Sequence, residues 1–161
     1  TDITETVMKQ IEELLEIAIL EKTILKHVKP HGALYNQAAK SSAIAHAIGL
    51  AVKKIDPQLT LVGLSNSIMI DTWRDMGLII AGEAFADRTY ETDGSLRDRK
   101  FNNALITNPA RAAKQVMMII KRGEIISVDG NTISINAQTI CIHSDTTNVL
   151  AIAKAVKDTE N

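Results

Sequence analysis

The stretch Leu59-Thr-Leu-Val-Gly-Leu64, Ser65-Asn-Ser67, Ile68-Met-Ile-Asp-Thr-Trp-Arg-Asp-Met76, Gly77, Leu78-Ile-Ile-Ala81 decides the fold class. Its first six residues form a short apolar run with polar neighbours, the mark of a buried strand. Ser65-Asn66-Ser67 supplies side chains that accept hydrogen bonds from the first turn of a helix. Ile68 to Met76 then reads as a short helix stopped by Gly77. Leu78–Ala81 is a second buried strand. A strand, a helix and another strand in direct succession predict a crossover between parallel strands.

The same alternation continues outward in both directions. Upstream, Ile11, Leu14, Leu15, Ala18 and Ile19 recur at helical spacing, so residues 4–21 are expected to form an amphipathic helix capped by Thr4. Thr23–Lys29 is a β-prone run ending in the turn Pro30-His31-Gly32. Residues 36–54 carry the next helical pattern, broken by Asp56-Pro57. Downstream, a polar segment runs from Gly82 to about Asn103, long enough to be functional or partly flexible. Asn108-Pro109 opens a strong helix that stops at Gly123. Glu124–Val128 and Thr132–Ile135 flank Asp129-Gly130-Asn131, a hairpin signal. Thr139–His143 is a last buried strand, and Thr147–Lys157 a last helix. The expectation is an α/β fold of mainly parallel strands with surrounding helices, organised as a single domain over 1–161.

Composition excludes several function classes. The 161 residues carry 18 Lys+Arg against 19 Asp+Glu, a formal net charge of -1. That balance argues against a general binder of nucleic acid or anionic membrane. Aromatics are 3% of the chain, too few for a base-stacking platform. The apolar runs are too short to span a bilayer. The single cysteine, Cys141, precludes an internal disulfide and reads as a core residue of its strand. The chain opens on Thr1 and enters a helical pattern at once, so it is expected to be a processed or truncated piece of something longer.

Ligands of parallel α/β folds gather at the carboxyl ends of strands. Lys29, His31, Tyr35 and Asn36 follow the first strand, and Ser65 and Asn66 the second. Glu83, Asp87, Arg88, Tyr90, Glu91 and Asp93 follow the third, and His143 and Asp145 the fourth. If these strands are neighbours, the groups share one mouth. Each also has a plainer reading. Lys29 is then a solvated strand-end lysine, and His31 a helix cap. Glu83 and Asp87 become loop caps, Arg88 a surface partner of Asp87 or Glu91, and Asp145 the cap of the last helix. His27 and His46 are expected to be structural. His31, Asp87, His143 and Asp145 are chemically suited to a mixed nitrogen and oxygen metal site, although no local spacing demands one. No phosphate-loop, dinucleotide or HExxH motif is present.

Lys29-Pro-His-Gly-Ala-Leu-Tyr-Asn36 resembles the KPHGALYN signature of the LamB/YcsF family, associated with the A subunit of 5-oxoprolinase. Glu83-Ala-Phe-Ala-Asp87-Arg88-Thr-Tyr90, continuing through Asp93-Gly-Ser-Leu96 to Arg99, resembles its E-x-FADR-x-Y…DGSL…R block. Thr139-Ile-Cys-Ile-His143-Ser-Asp145-Thr146 is similar to its TICVHGDT block. Ser144, Thr147 and Asn102-Asn103 depart from the usual Gly, Pro and Pro-Gly. The family's amino-terminal DLNCDLGE-like, ANIACGFHAGD-like and GAHP-like blocks have no counterpart, so the chain resembles the carboxy-terminal two-thirds of a member.

The resemblance implies an incomplete or distorted (β/α) barrel of the glycoside hydrolase/deacetylase type. It implies ATP-dependent opening of 5-oxoproline to L-glutamate in the cytoplasm, with partner subunits B and C and no nucleic acid or membrane. In that scheme Lys29, His31, Glu83, Asp87, Arg88 and His143 are the catalytic candidates, and Tyr35, Asn36, Tyr90 and Asp145 bind substrate. Lys29 steadies anionic oxygen, His31 and Asp87 activate water, and Arg88 grips the substrate carboxylate. Glu83 and His143 orient neighbours or shuttle a proton, while Asp145 sets the His143 tautomer or caps the helix. ATP is the expected cofactor, with a divalent metal possible in principle. The competing expectations are a metal-dependent amidase or deacetylase needing no ATP, and a noncatalytic scaffold. An incomplete barrel also predicts self-association through a bare strand edge.

Overall fold

The computed structural model describes residues 2–160, so Thr1 lies outside it. The chain forms two compact units, one up to Gly82 and the other from Glu83 onward. The first holds α1 (Ile3–Leu20), β1 (His27–Val28), α2 (Gly32–Ala38), α3 (Ser42–Ile55), β2 (Thr60–Leu64) and α4 (Ile68–Asp75). β3 (Ile80–Phe85) begins in the first unit and ends in the second. The second unit continues with α5 (Pro109–Arg122), β4 (Glu124–Ile126), β5 (Thr132–Ser134), β6 (Thr139–Cys141) and α6 (Val149–Lys157). The sheet order is β1-β2-β3-β6, with β4 and β5 paired separately.

In the first unit β1 and β2 are parallel, with His27 opposite Thr60 and Val28 opposite Leu61. The Leu61 N–H donates to the Ile79 carbonyl at the approach to β3. α1 buries Thr4, Val7, Ile11 and Ala18 along one stripe and packs on α3. Its cap is Asp2, whose carboxylate accepts from the Thr4 N–H at 2.8 Å. Thr4, expected as the cap, is instead buried and donates its hydroxyl to the Ala47 carbonyl of α3.

The helix expected over 36–54 is two helices. Ser41 interrupts it by leaving helical geometry and capping Ile44. The expected strand Thr23–Lys29 shrinks to His27–Val28. The centre of this unit is Trp73, fully buried with its indole N–H on the Ala45 carbonyl at 2.7 Å. Gly63 and Gly49 leave the space that its ring occupies.

In the second unit β3 and β6 are parallel, with Glu83, Ala84 and Phe85 opposite Thr139, Ile140 and Cys141. The third strand therefore runs past the expected Ala81, because β6 gives Glu83–Phe85 a partner. α5 begins as expected, with the Asn108 side chain accepting from the Arg111 N–H at 3.0 Å and Pro109 in the first turn. It ends at Gly123 in the left-handed region, φ 62°. The β4–β5 hairpin forms around Asp129-Gly130. α5 and α6 pack together, with Ile106, Ala112 and Ile152 at their core. Apart from the β4–β5 hairpin, the paired strands are parallel and helices separate most of them, as in an α/β fold. No helix among the described residues is long and apolar enough to cross a membrane.

Candidate active site

The segment after β3 is a tight, ordered turn rather than a loose loop. Its backbone groups find partners on three sides. The Phe85 N–H donates to the Tyr90 hydroxyl at 2.7 Å. The Ala86 N–H donates to the Cys141 carbonyl, prolonging the pairing with β6. From α5, the Gln115 amide donates to the carbonyls of Phe85 and Arg88 at 2.7 and 2.9 Å. The returning chain closes the turn, with the Ile106 N–H on the Asp87 carbonyl and the Thr89 N–H on that of Ala104. Residues 83–90 are buried as a result.

This turn delivers Asp87 to the end of the neighbouring strand. Asp87 is 0% exposed, and its carboxylate receives donors from the segment after β6. The His143 N–H reaches Oδ2 at 3.0 Å, and the Thr146 hydroxyl reaches the same oxygen at 2.5 Å. His143 Nδ1 lies 3.1 Å from both carboxylate oxygens. Burial pushes the Asp87 carboxyl upward, but the hydrogen bonds from His143 and Thr146 outweigh it and hold the group below its usual range. The His143 ring stacks on Phe85, with centroids 5.0 Å apart and planes 13° from parallel. Its Nε2 has no hydrogen-bond partner among the described residues. An imidazole held at Nδ1 by an ionised carboxylate presents Nε2 as a proton acceptor.

The remaining expectations divide. Glu83 lies inside β3 and is 1% exposed, so it is no loop cap. Arg88 is buried, not a surface partner, and donates to the Arg97 carbonyl at 2.5 Å. Its Nε has no hydrogen-bond partner among the described residues. Burial and the nearby Arg99 charge both lower the Arg88 pKa. Glu91 pairs with Arg97, at 2.9 and 3.1 Å. Tyr90 is fully buried, its hydroxyl is occupied by Phe85, and burial raises its pKa; it acts as a latch on the turn.

Asp145 neither sets the His143 tautomer nor caps α6. Arg99 holds it at 2.8 Å, and the helix cap is Asn148. In the first unit Lys29 is half-buried, Tyr35 buried, and His31 and Asn36 exposed. His31 stands at the start of α2 but makes no side-chain cap bond. Gln115 and Thr146 do not stand out as site residues in the sequence. Thr146 carries a signal, as the last residue of the Thr139–Thr146 block, whereas Gln115 carries none.

Asp145 pairs with Arg99, and no three His, Cys, Asp or Glu side chains among the described residues are grouped to hold an ion.

The sequence profile of the LamB/YcsF family matches residues 1–161. The chain is 46% identical over 156 residues to a protein of Chloroflexus aggregans named as the A subunit of 5-oxoprolinase, covering 97% of this chain and 62% of that protein. It is 43% identical over 157 residues to the protein of the same name from Heliobacterium modesticaldum, covering 98% of this chain and 62% of that one. It superposes with a TM-score of 0.89, at 36% identity, on the crystal structure of a lactam utilization protein from Thermus thermophilus, covering 98% of this chain and 62% of that one. The chain thus spans about 62% of the length of these relatives, and it belongs to the LamB/YcsF family.

Proposed function

We propose that this protein is part of a 5-oxoprolinase that opens the lactam of 5-oxoproline to L-glutamate with hydrolysis of ATP. The observation that carries the reading is the pairing of buried Asp87 with partly exposed His143 at the ends of two adjacent parallel strands, in a family whose members are named for lactam chemistry. A five-membered amide resists water because its nitrogen is a poor leaving group and its carbonyl is resonance-stabilised. Transfer of the ATP terminal phosphoryl group to the lactam oxygen makes the ring carbon electrophilic. Water then adds to that carbon, the ring C–N bond breaks and the nitrogen takes a proton, which leaves an acyl phosphate on the opened chain; a second water cleaves it to the glutamate carboxylate and free phosphate.

In this scheme His143 Nε2 takes the proton from the attacking water, and Asp87 stabilises the imidazolium that forms. Asp87 is therefore a positioning group, shielded from water by burial. Arg88 is assigned to the substrate carboxylate, Lys29 to anionic oxygen or phosphate, and His31 to proton relay. Glu83 orients its neighbours, while Tyr35 and Asn36 contact substrate. Subunits B and C are the partners we assign, and the need for ATP argues for the cytoplasm. Exposed Leu14, Ile17, Leu20 and Ile24 support association with a further chain or a second copy.

The test mixes the purified chain, and separately a full-length relative carrying the same blocks, with subunits B and C, ATP and 5-oxoproline. Glutamate and ADP formed together, undiminished by a chelator beyond the need of ATP for magnesium, support the proposal. Glutamate formed without ATP makes the protein a simple amidase. Complex formation without turnover in either mixture makes it a scaffold.

A further inference from the structure

Proton transfer through His143 needs one ring nitrogen protonated and the other bare. The pairing with Asp87 decides that only if the carboxylate itself is held still. A carboxylate on a single Cβ–Cγ bond swings easily. Oδ2 of Asp87 is pinned from two sides, by the His143 N–H at 3.0 Å and the Thr146 hydroxyl at 2.5 Å. The Thr146 side chain is buried, and its N–H donates to the His143 carbonyl at 3.2 Å. The hydroxyl, its backbone and the imidazole thus belong to one short hydrogen-bonded turn.

We propose that Thr146 is a positioning residue, whose hydroxyl locks the Asp87 carboxylate against His143 and so keeps Nδ1 protonated and Nε2 open. This rests on His143 being the proton acceptor only for its consequence in turnover; the lock itself stands on geometry. A hydroxyl has one proton to give, and here it goes to Oδ2, which already takes the His143 N–H. Removing it leaves the backbone N–H as the sole fixed anchor. The carboxylate then becomes more basic and freer to rotate, and the imidazole is free to exchange tautomers. The ionisable groups coupled to the pair are Arg88 and Tyr90, which feel the Asp87 charge, and Asp145, which feels His143 and is paired with Arg99.

The test uses the chain itself and needs no catalysis. In the wild type, nitrogen NMR of His143, assigned against His143→Gln, shows Nδ1 protonated and Nε2 bare in the neutral form of the ring. Carbon NMR follows the Asp87 carboxyl through acid titration. Thr146→Val is expected to raise the Asp87 midpoint by roughly one pH unit, about tenfold in proton affinity, and to mix the two His143 tautomers. Thr146→Ser, which keeps the hydroxyl, restores both. A Thr146→Val protein with unchanged midpoint and tautomer overturns the proposal.

If that variant does not fold, the wild type decides through its Thr146 hydroxyl proton. A slowly exchanging resonance that is lost when Asp87 titrates supports the lock, and its absence rejects it. Turnover is measured separately in the assembled enzyme. Normal activity of His143→Gln there rejects the proposed function while leaving the NMR result intact. Active wild type with unmoved Thr146→Val spectra rejects only the lock.

Discussion

Asp87→Asn separates the charge of the buried carboxylate from its shape. In the wild type three donor groups converge on Asp87: the His143 N–H, the His143 ring and the Thr146 hydroxyl. An asparagine retains one acceptor oxygen and turns an NH2 group toward the rest. Hydrogen bonds to a charged partner are worth roughly 1.5–3 kcal/mol and neutral ones about 0.5–1.5, so weakening these contacts is expected to cost about 2–4 kcal/mol. The imidazole also answers the amide by reversing its tautomer, accepting at Nδ1 and carrying its proton on Nε2. The proton acceptor is thereby removed, and kcat of the assembled enzyme is expected to fall by about 10²–10⁴.

The pH dependence has a definite sign. Asp87 is held below its ordinary value of 3.8, so the unfolded chain binds its proton first as the medium is acidified. The contribution is fully present above pH 3.8 and is lost as pH falls through the lower folded value. Urea unfolding from pH 7 down to pH 2 should therefore show the gap between wild type and Asp87→Asn closing below about pH 4. A folded Asp87→Asn enzyme within threefold of wild-type turnover, or a gap unchanged in acid, contradicts this account of the pair.

Two further substitutions test the scaffold by urea unfolding at neutral pH. Tyr90→Phe leaves the Phe85 N–H without its 2.7 Å acceptor at a fully buried position and is expected to destabilise by about 1–3 kcal/mol; a loss near zero removes the latch. Gly63→Ala places a methyl group 2.7 Å from Trp73 Cζ3 and 2.8 Å from Met69 Sδ. Overpacking of this kind costs about 1–3 kcal/mol, more than the roughly 0.4–1 that alanine returns through the unfolded chain, so a net stabilised variant contradicts the packing described.

What could be read from the sequence was what depends on near neighbours. Asn108-Pro109 and Gly123 bracket α5 because a cap, a ring-fixed φ and a left-handed stop act within a turn of themselves. Asp129-Gly130 folds its hairpin for the same reason. Ser41 shows the limit: the apolar spacing runs on from Ala38 to Ile44, and only the cap geometry reveals two helices. The end of β3 was hidden because Glu83, polar by itself, is kept in the strand by its pairing with Thr139. At the site, residue types and strand ends marked Asp87 and His143. They did not tell which carboxylate meets the imidazole, since Asp145 is two positions from His143 and Asp87 is 56 positions away. The register of β3 on β6 makes that choice.

The same register explains why the Asp87 carboxylate can be buried at all. An ionised carboxylate out of water is costly unless donors surround it. Here the donors come from one turn, His143 to Thr146, which also carries the base. The β3 segment contributes twice in return: Phe85 covers a face of the imidazole, and Asp87, just past the strand, takes its Nδ1 edge. The ring is held on a face and an edge by one neighbouring segment, and what remains is the edge bearing Nε2. Opening the turn after β6 would withdraw the base and strand a buried charge in one event. The charge that prepares His143 for proton transfer therefore also keeps its turn closed, and a change that loosens the turn should weaken stability and turnover together.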